Sequence, residues 1–169
     1  MKRILSLLTL TLLLSACNFG VLHPTLYNNK VVDLILPATL AVESSAVLYN
    51  SLVPEDITEL TLIEPKALRD AFDDTENLME DAAKALNYES EDLEQLATVR
   101  GHLETYLSAG EDYLESYKAM VIYFEDAGNQ TDPNRLDELD PNLHTAYNTF
   151  TEANNDLVTS LASFVSEEE

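Results

Sequence analysis

A sustained heptad register runs through residues 93–124, which read LEQLATVRGHLETYLSAGEDYLESYKAMVIYF. Apolar or small side chains recur at alternating spacings of three and four residues, so they fall on one side of an α-helix. Asp92 and Glu94 suit the positive end of such a helix, and Ser90 is the expected N-cap. The pattern predicts a helix from Ser90 to Glu125 that buries one long seam against partner helices. The seam positions are 93, 96, 100, 103, 107, 110, 114, 117, 121 and 124.

Two further helices are predicted before this one. Residues 27–52 carry an apolar stripe and additional apolar side chains beside it, so this helix is expected to be the most buried element, with a kink at Pro37. The next helix begins at Pro65, because proline suits a first helical position, and it ends near Asn87. Its apolar face comprises Leu68, Phe72, Thr75, Met79, Ala82 and Leu86.

The last helix is expected to begin at the second of two Asp-Pro-Asn sequences, residues 132–134 and 140–142. Each offers an aspartate N-cap followed by proline, and the first is expected to open only a turn. A helical apolar stripe then continues to Phe164, whereas the alternation typical of strands is missing from the sequence. The sequence therefore predicts an all-α fold, an antiparallel bundle of about four long helices.

The chain is strongly acidic. Of its 169 residues, 31 are Asp or Glu and 9 are Lys or Arg, which gives a formal net charge of -22. Lys2 and Arg3 precede Cys17, so a chain that starts at Cys17 keeps 31 acidic against 7 basic residues, a formal charge of -24. Such a charge repels phosphate and argues against nucleic acid as a partner. It favours a cationic protein or peptide partner.

The first 17 residues, MKRILSLLTLTLLLSAC, have the pattern of a secretory signal. The apolar run from Ile4 to Leu14 is shorter than the roughly 20 residues of a membrane-spanning helix. Residues 14–17, Leu-Ser-Ala-Cys, resemble the bacterial lipobox, which implies cleavage before Cys17 and acylation, as by palmitate, of its thiol and new amino group. Several acyl chains would attach the protein stably to a membrane. Because Cys17 is the only cysteine, no internal disulfide forms.

This resemblance divides the chain into four parts. Residues 1–17 are the signal peptide, residues 18–24 a short tether, residues 25–166 the helical domain and residues 167–169 an acidic tail. Asn18 follows the cysteine at the position where inner-membrane lipoproteins of enteric bacteria carry aspartate. The resemblance therefore indicates the outer membrane of a Gram-negative envelope, with the domain facing the periplasm.

Three residues of the central helix are candidates for ligand binding. Arg100 places a guanidinium on the apolar seam, Gly110 leaves space beside it, and Tyr117 combines an aromatic ring with a hydroxyl. Structural roles account for each as well, since arginine can extend to solvent, glycine allows close helix approach and tyrosine packs in cores. The bundle interior around them is the alternative site, for a small ligand or a metal ion.

The sequence assigns no catalytic residue, no cofactor and no metal ligand. His102 and Glu104 are two residues apart on a helix, so their side chains point to different sides and cannot hold one ion. The single thiol is committed to the lipid, and the serines lack the flanking glycines of a nucleophile elbow. These patterns favour a lipid-anchored binding or interaction module over an enzyme.

Two short sequences of the mature chain carry a family resemblance. Residues 27–30, Tyr-Asn-Asn-Lys, open the first helix, and residues 143–148, Leu-His-Thr-Ala-Tyr-Asn, lie in the last. Together with the lipobox, they resemble the YiiG-like bacterial lipoproteins of unknown function. The resemblance implies an envelope location and a helical fold, and that family has no assigned activity or catalytic residues to transfer.

Overall fold

The computed structural model describes residues 21–53, 65–126 and 133–166, and these form four long helices. A short 3₁₀-helix continues the second of them, and within these ranges no strand forms beyond an isolated bridge between Leu22 and Ser90. The predicted all-α bundle is confirmed. Cys17, the connector after the first helix and the acidic tail lie outside the described residues. The helices are α1 (Pro24–Leu52), α2 (Pro65–Ala83), α3 (Leu93–Glu125) and α4 (Pro133–Ser166), and the 3₁₀-helix is Lys84–Asn87.

The four helices form a ring in which each packs against its neighbours in sequence and α1 packs against α4. Side-chain contacts give the directions. Thr39 of α1 donates to Asn154 of α4, and Tyr49 of α1 donates to Asp140 of α4, so these two helices are antiparallel. α1 and α3 lie diagonally across the ring and run parallel, because their contacts advance together along both chains. The arrangement is an up-down-up-down bundle.

The core is rich in tyrosine, and α3 supplies most of it. Of the eleven largest side chains with less than 2 % exposure, seven belong to α3 and one to α1. From Leu96 to Phe124 the predicted seam of α3 faces the interior, since every seam position in that range is buried or half-buried. The expectation that the first helix is the most buried element is wrong, because its apolar side chains occupy more of its circumference than its neighbours cover. Leu36, Leu40 and Val47 remain 53 %, 51 % and 67 % exposed.

α1 also has the length and apolar composition of a membrane-crossing helix. Its most apolar stretch has a mean hydropathy of 1.7. The inner side of the helix nevertheless takes part in the bundle core, where Tyr27, Thr39 and Ser45 are buried. Pro37 lies within α1 as predicted, on its exposed side. The composition of α1 thus reflects a core helix with an additional apolar outer side.

The predicted cap of α3 is wrong by two residues. The N-cap is Asp92, whose carboxylate accepts the Gln95 backbone N–H at 3.0 Å. Ser90 is instead part of the bridge to the segment before α1, where Leu22 bonds to the backbone of Glu89 and Glu91. Both residue types cap helices well, and the contact with Leu22 determines which one does so here.

The predicted start of the last helix is also wrong. α4 begins at Pro133, at the first Asp-Pro-Asn sequence, and Pro141 lies inside the helix. The added turns bury Leu136 and Leu139, with exposures of 3 % and 7 %. Burial of two leucines contributes more than the backbone hydrogen bond that Pro141 cannot donate. Tertiary packing therefore extends the helix through a proline that would end an isolated one.

Candidate binding groove

A surface groove of about 740 Å³ runs between α2 and α3. Its floor is apolar and comes from both helices. Phe72 and Met79 of α2 face Leu107 and Leu114 of α3, and Leu86 closes the end near the 3₁₀-helix. These side chains belong to the apolar stripes that pack α2 on α3 in antiparallel fashion. The groove is thus the outer margin of a helix interface.

Glutamates line the rim of this groove on both sides. Glu76 and Glu80 project from α2, and Glu104, Glu111 and Glu115 project from α3. Spacings of four residues on α2 and of seven and four on α3 keep each set on one helix face. All but the half-buried Glu76 are exposed. The arrangement places five carboxylates around an apolar floor.

One cation joins this rim. The Lys118 ammonium lies 5.5 Å from the centre of the Phe72 ring, in the position of a cation–π contact. The ion pairs formed within the described ranges involve other acidic side chains, namely Asp70, Asp81, Glu125, Glu138 and Asp140. The rim glutamates therefore enter none of those pairs. The groove combines apolar surface with an excess of negative charge, five glutamates against one lysine.

Arg100 lies at the far end of α3 from Lys118 and makes backbone contacts. Its Nη2 donates to the carbonyl oxygens of Leu86 at 3.2 Å and Tyr88 at 3.0 Å. These carbonyls belong to the end of the 3₁₀-helix and the residue after it, where no helical N–H follows to satisfy them. Arg100 also lies beside Tyr27. The structure thus gives this seam arginine a role in holding the α2–α3 connection.

Gly110 lies under a methionine of α2. A Cβ atom added to Gly110 would lie 3.1 Å from Met79 Sδ, closer still to the Met79 methyl group, and 3.6 Å from Phe150 Cε2. Met79 therefore fills the space that a side chain at position 110 would occupy. This packing does not favour the alternative of a ligand in the bundle interior at this position.

Tyr117 is buried in the core, with its ring 6.5 Å from that of Tyr49 and 5.8 Å from that of Tyr113. Its hydroxyl is buried without a hydrogen-bond partner among the described residues. Burial raises the pKa of Tyr117. The hydroxyl therefore stays protonated at neutral pH and acts as neither a base nor a charged ligand.

Two other core tyrosines, Tyr106 and Tyr113, have polar partners across the bundle. The Tyr106 hydroxyl lies 3.0 Å from Thr39 Oγ1, and burial raises the pKa of Tyr106 to about 12. The Tyr113 hydroxyl lies 2.8 Å from Ser45 Oγ, and burial raises its pKa as well. These pairs connect α3 to the diagonal helix α1. They fix the rotation of α1 about its own axis, and hence which of its sides faces outward.

The three predicted ligand residues do not share one site. Along α3, Arg100 lies about 15 Å from Gly110 and about 25 Å from Tyr117 at the helical rise per residue. His102 and Glu104 also diverge, since His102 is half-buried and Glu104 is on the groove rim. The described residues contain no cluster of three or more His, Cys, Asp or Glu side chains that could hold a metal ion.

Sequence reasoning missed the groove because its members come from two helices. Most acidic residues of a chain this acidic are solvated surface, so Glu111 does not stand out by itself. A signal was present in the shared face of Glu104, Glu111 and Glu115 on α3 and in the Glu76 and Glu80 pair on α2. Only the antiparallel pairing of the two helices brings these faces together.

The comparisons with known proteins concern the N-terminus. Residues 1–18 match the family model described as the prokaryotic membrane lipoprotein lipid attachment site. No curated protein and no solved structure matches the chain. The match supports the prediction for Cys17. The chain is a lipid-anchored lipoprotein of the cell envelope that carries a four-helix domain.

Proposed function

We propose that this lipoprotein is a binding module that captures a cationic, amphipathic segment of another protein in the groove between α2 and α3. One observation carries the proposal: a single groove joins an apolar floor to a rim of five glutamates. An apolar floor takes up apolar side chains, and the carboxylates select for Lys or Arg beside them.

The charge of the whole chain supports the same partner class. The chain after the signal peptide carries a formal charge of -24, so its field attracts cations from a distance and speeds their encounter. At the groove, Glu104, Glu111 and Glu115 repel one another while the site is empty. A bound cation relieves this repulsion, and the association therefore weakens as salt increases.

The length of the groove fits a short helix. On α3 the lining runs from Glu104 to Lys118, about 21 Å at the helical rise per residue. A partner helix of about 14 residues has this length. It would place its apolar side toward Phe72 and Leu114 and its basic side chains toward the rim.

The proposal includes a location and excludes catalysis. Asn18 after the lipid-bearing cysteine supports attachment to the outer membrane with the domain in the periplasm. A lining of five carboxylates, apolar side chains, the Ser108 hydroxyl and the single ammonium of Lys118 suits recognition of a cation. We therefore propose a binding role and no enzymatic one.

The test is a titration of the mature protein with three synthetic peptides of about 14 residues. One is a Lys/Leu amphipathic helix, one keeps its lysines but replaces leucine by serine, and one is a Glu/Leu helix. The proposal expects measurable binding of the first alone, with affinity that falls as salt increases. Equal binding of the first two peptides would show a purely electrostatic surface and contradict the groove.

Two triple variants of equal charge locate the site. Glu104→Gln, Glu111→Gln and Glu115→Gln together should weaken Lys/Leu binding about tenfold, at about 0.5 kcal/mol for each exposed pair. The control is Glu94→Gln, Glu152→Gln and Asp156→Asn, which removes three exposed charges outside the groove. It should change the affinity less than about twofold. Equal losses in the two triples would assign binding to overall charge rather than to the groove.

A further inference from the structure

The outer side of α1 carries a row of exposed apolar side chains. Val32, Leu36, Leu40 and Val47 are 36 %, 53 %, 51 % and 67 % exposed. At 100° per residue they lie within an arc of about 80°, and they extend about 22 Å along the helix. We call these four residues the outer face of α1. The tyrosine contacts of Thr39 and Ser45 with α3 hold the opposite side of α1 in the core.

The lipid attachment lies close to this face. Pro24, the first residue of α1, lies seven positions after Cys17 in the chain. Even a fully extended chain of that length spans only about 25 Å. The start of α1 is therefore held within that distance of the bilayer, and contact between the outer face and lipid is an intramolecular event with a high effective concentration.

The distribution of charge directs the same side toward lipid. α1 has one cation, Lys30, and two anions, Asp33 and Glu43, a net charge of -1 over 29 residues. α2 has a net charge of -4 over 19 residues, from two cations and six anions. Electrostatic repulsion from a bilayer surface is therefore least for α1. Glu43 lies within the arc of the outer face, where a helix at the interface keeps a carboxylate among the headgroups.

We propose that α1 lies along the surface of the bilayer that holds the lipid on Cys17, with its outer face in contact with lipid. α3 is diagonal to α1, so this contact turns α3 and the groove of α2 and α3 away from the membrane. The orientation of the groove toward partners rests on the proposed function, whereas the contact of α1 with lipid does not. The partner of the outer face is the protein's own membrane.

A pair of matched labels tests the contact. The single native cysteine is acylated, so a cysteine introduced elsewhere is the only free thiol of the mature protein. Leu36→Cys and Ile122→Cys replace side chains of similar exposure, 53 % and 50 %, on the diagonal helices α1 and α3. Each variant is acylated, reconstituted into phosphatidylcholine vesicles and labelled with a polarity-sensitive fluorophore. The proposal expects a blue shift and quenching by lipid-attached quenchers at position 36 and a water-like spectrum at position 122.

A second variant tests whether the outer face causes the contact. Leu40→Glu and Val47→Glu, added to the position-36 label, change exposed residues and should leave the helical circular dichroism unchanged. Most of the quenching at position 36 should then be lost. Peptide binding in the groove should persist, which separates failure of this proposal from failure of the proposed function.

Four outcomes would overturn the proposal. The first is equal spectra at positions 36 and 122. The second is quenching that survives Leu40→Glu and Val47→Glu. The third is quenching only by probes at the bilayer centre, which would indicate a spanning helix. The fourth is protection of position 36 that increases with protein density in the vesicles, which would indicate contact with a second copy of the chain.

Discussion

Met79 of α2 occupies the space that a side chain on Gly110 of α3 would need. The two helices approach closely at this point, and the methionine side chain covers the glycine. The position is part of the groove floor, since Met79 lines the groove as well. The close approach of α2 and α3 and the shape of the groove therefore depend on the same residue pair.

Gly110→Leu should destabilise the domain. The added side chain displaces Met79 and presses on Phe150, and overpacking of this kind costs about 1–3 kcal/mol. Gly101→Leu is the matched control, because a Cβ atom there meets nothing within 4 Å. That variant should gain up to about 1 kcal/mol from helix propensity. Urea unfolding measures both, and a Gly110→Leu protein as stable as the wild type would show that the end of the Met79 side chain moves aside at little cost.

Tyr113→Phe and Tyr117→Phe should have opposite effects on stability. The Tyr113 hydroxyl lies 2.8 Å from Ser45 Oγ and 3.5 Å from the carbonyl oxygen of Val42, so Tyr113→Phe loses a buried hydrogen bond, at a cost of about 1 kcal/mol. The Tyr117 hydroxyl is buried without a partner among the described residues, so its removal should be neutral or stabilise by about 1 kcal/mol. Denaturant midpoints of the two variants give the comparison. Equal losses would mean that the Tyr117 hydroxyl is satisfied in solution.

Alkaline pH should unfold the domain. Burial raises the pKa of Tyr106 to about 12, from 10.0 in the unfolded chain. Between these values the unfolded state loses the proton and the folded state keeps it, so stability falls as pH rises. The difference of two pKa units corresponds to about 3 kcal/mol of unfolding free energy. This contribution is fully present below pH 10 and is lost by about pH 12.

The Tyr106→Phe variant isolates this contribution. Burial raises the pKa values of Tyr49, Tyr113 and Tyr117 in the same direction, so the wild type should lose stability steeply above pH 10. The variant should show a shallower decline of unfolding free energy between pH 10 and 12. The variant also loses unfolding free energy at neutral pH, because its contact with Thr39 is missing, but this loss does not affect the slope. An unchanged slope would show that Tyr106 ionises while the protein stays folded.

Arg100→Met should cost about 2–3 kcal/mol, because it removes charged hydrogen bonds to the carbonyl oxygens of Leu86 and Tyr88 while keeping most of the aliphatic stem. Arg135→Met is the control, since Arg135 makes an exposed ion pair with Glu138 one turn away. That pair contributes less than about 0.5 kcal/mol. Thermal unfolding distinguishes the two, and similar small losses would assign Arg100 no structural role.

The bundle was predictable from local patterns, although its details were not. Leu68, Phe72 and Met79 are buried on the face that their spacing predicted for α2. The start of α4 was not predictable, because residues 132–134 and 140–142 carry the same local signals. Burial of Leu136 and Leu139 decides between them, and burial depends on the other helices.

The candidate site was likewise predictable only in part from the sequence. The sequence indicated an acidic surface and a cationic partner, and it named Arg100, Gly110 and Tyr117 as the interior candidates. The structure separates these three along α3 and assembles the groove from two sets of glutamates, one on α2 and one on α3, that no sequence pattern joins. Its two rims are separated by more than 20 residues of chain, and no local spacing rule spans that distance.

By itself the sequence determined the lipid attachment site of residues 1–18, the helical class and the charge, because each depends on residues that are neighbours along the chain or on composition alone. Tertiary structure decided which helix ends were used, which side of α1 faces outward and which glutamates meet around an apolar floor. These features depend on how four amphipathic helices share a limited buried surface. That competition is settled only when all of them pack together.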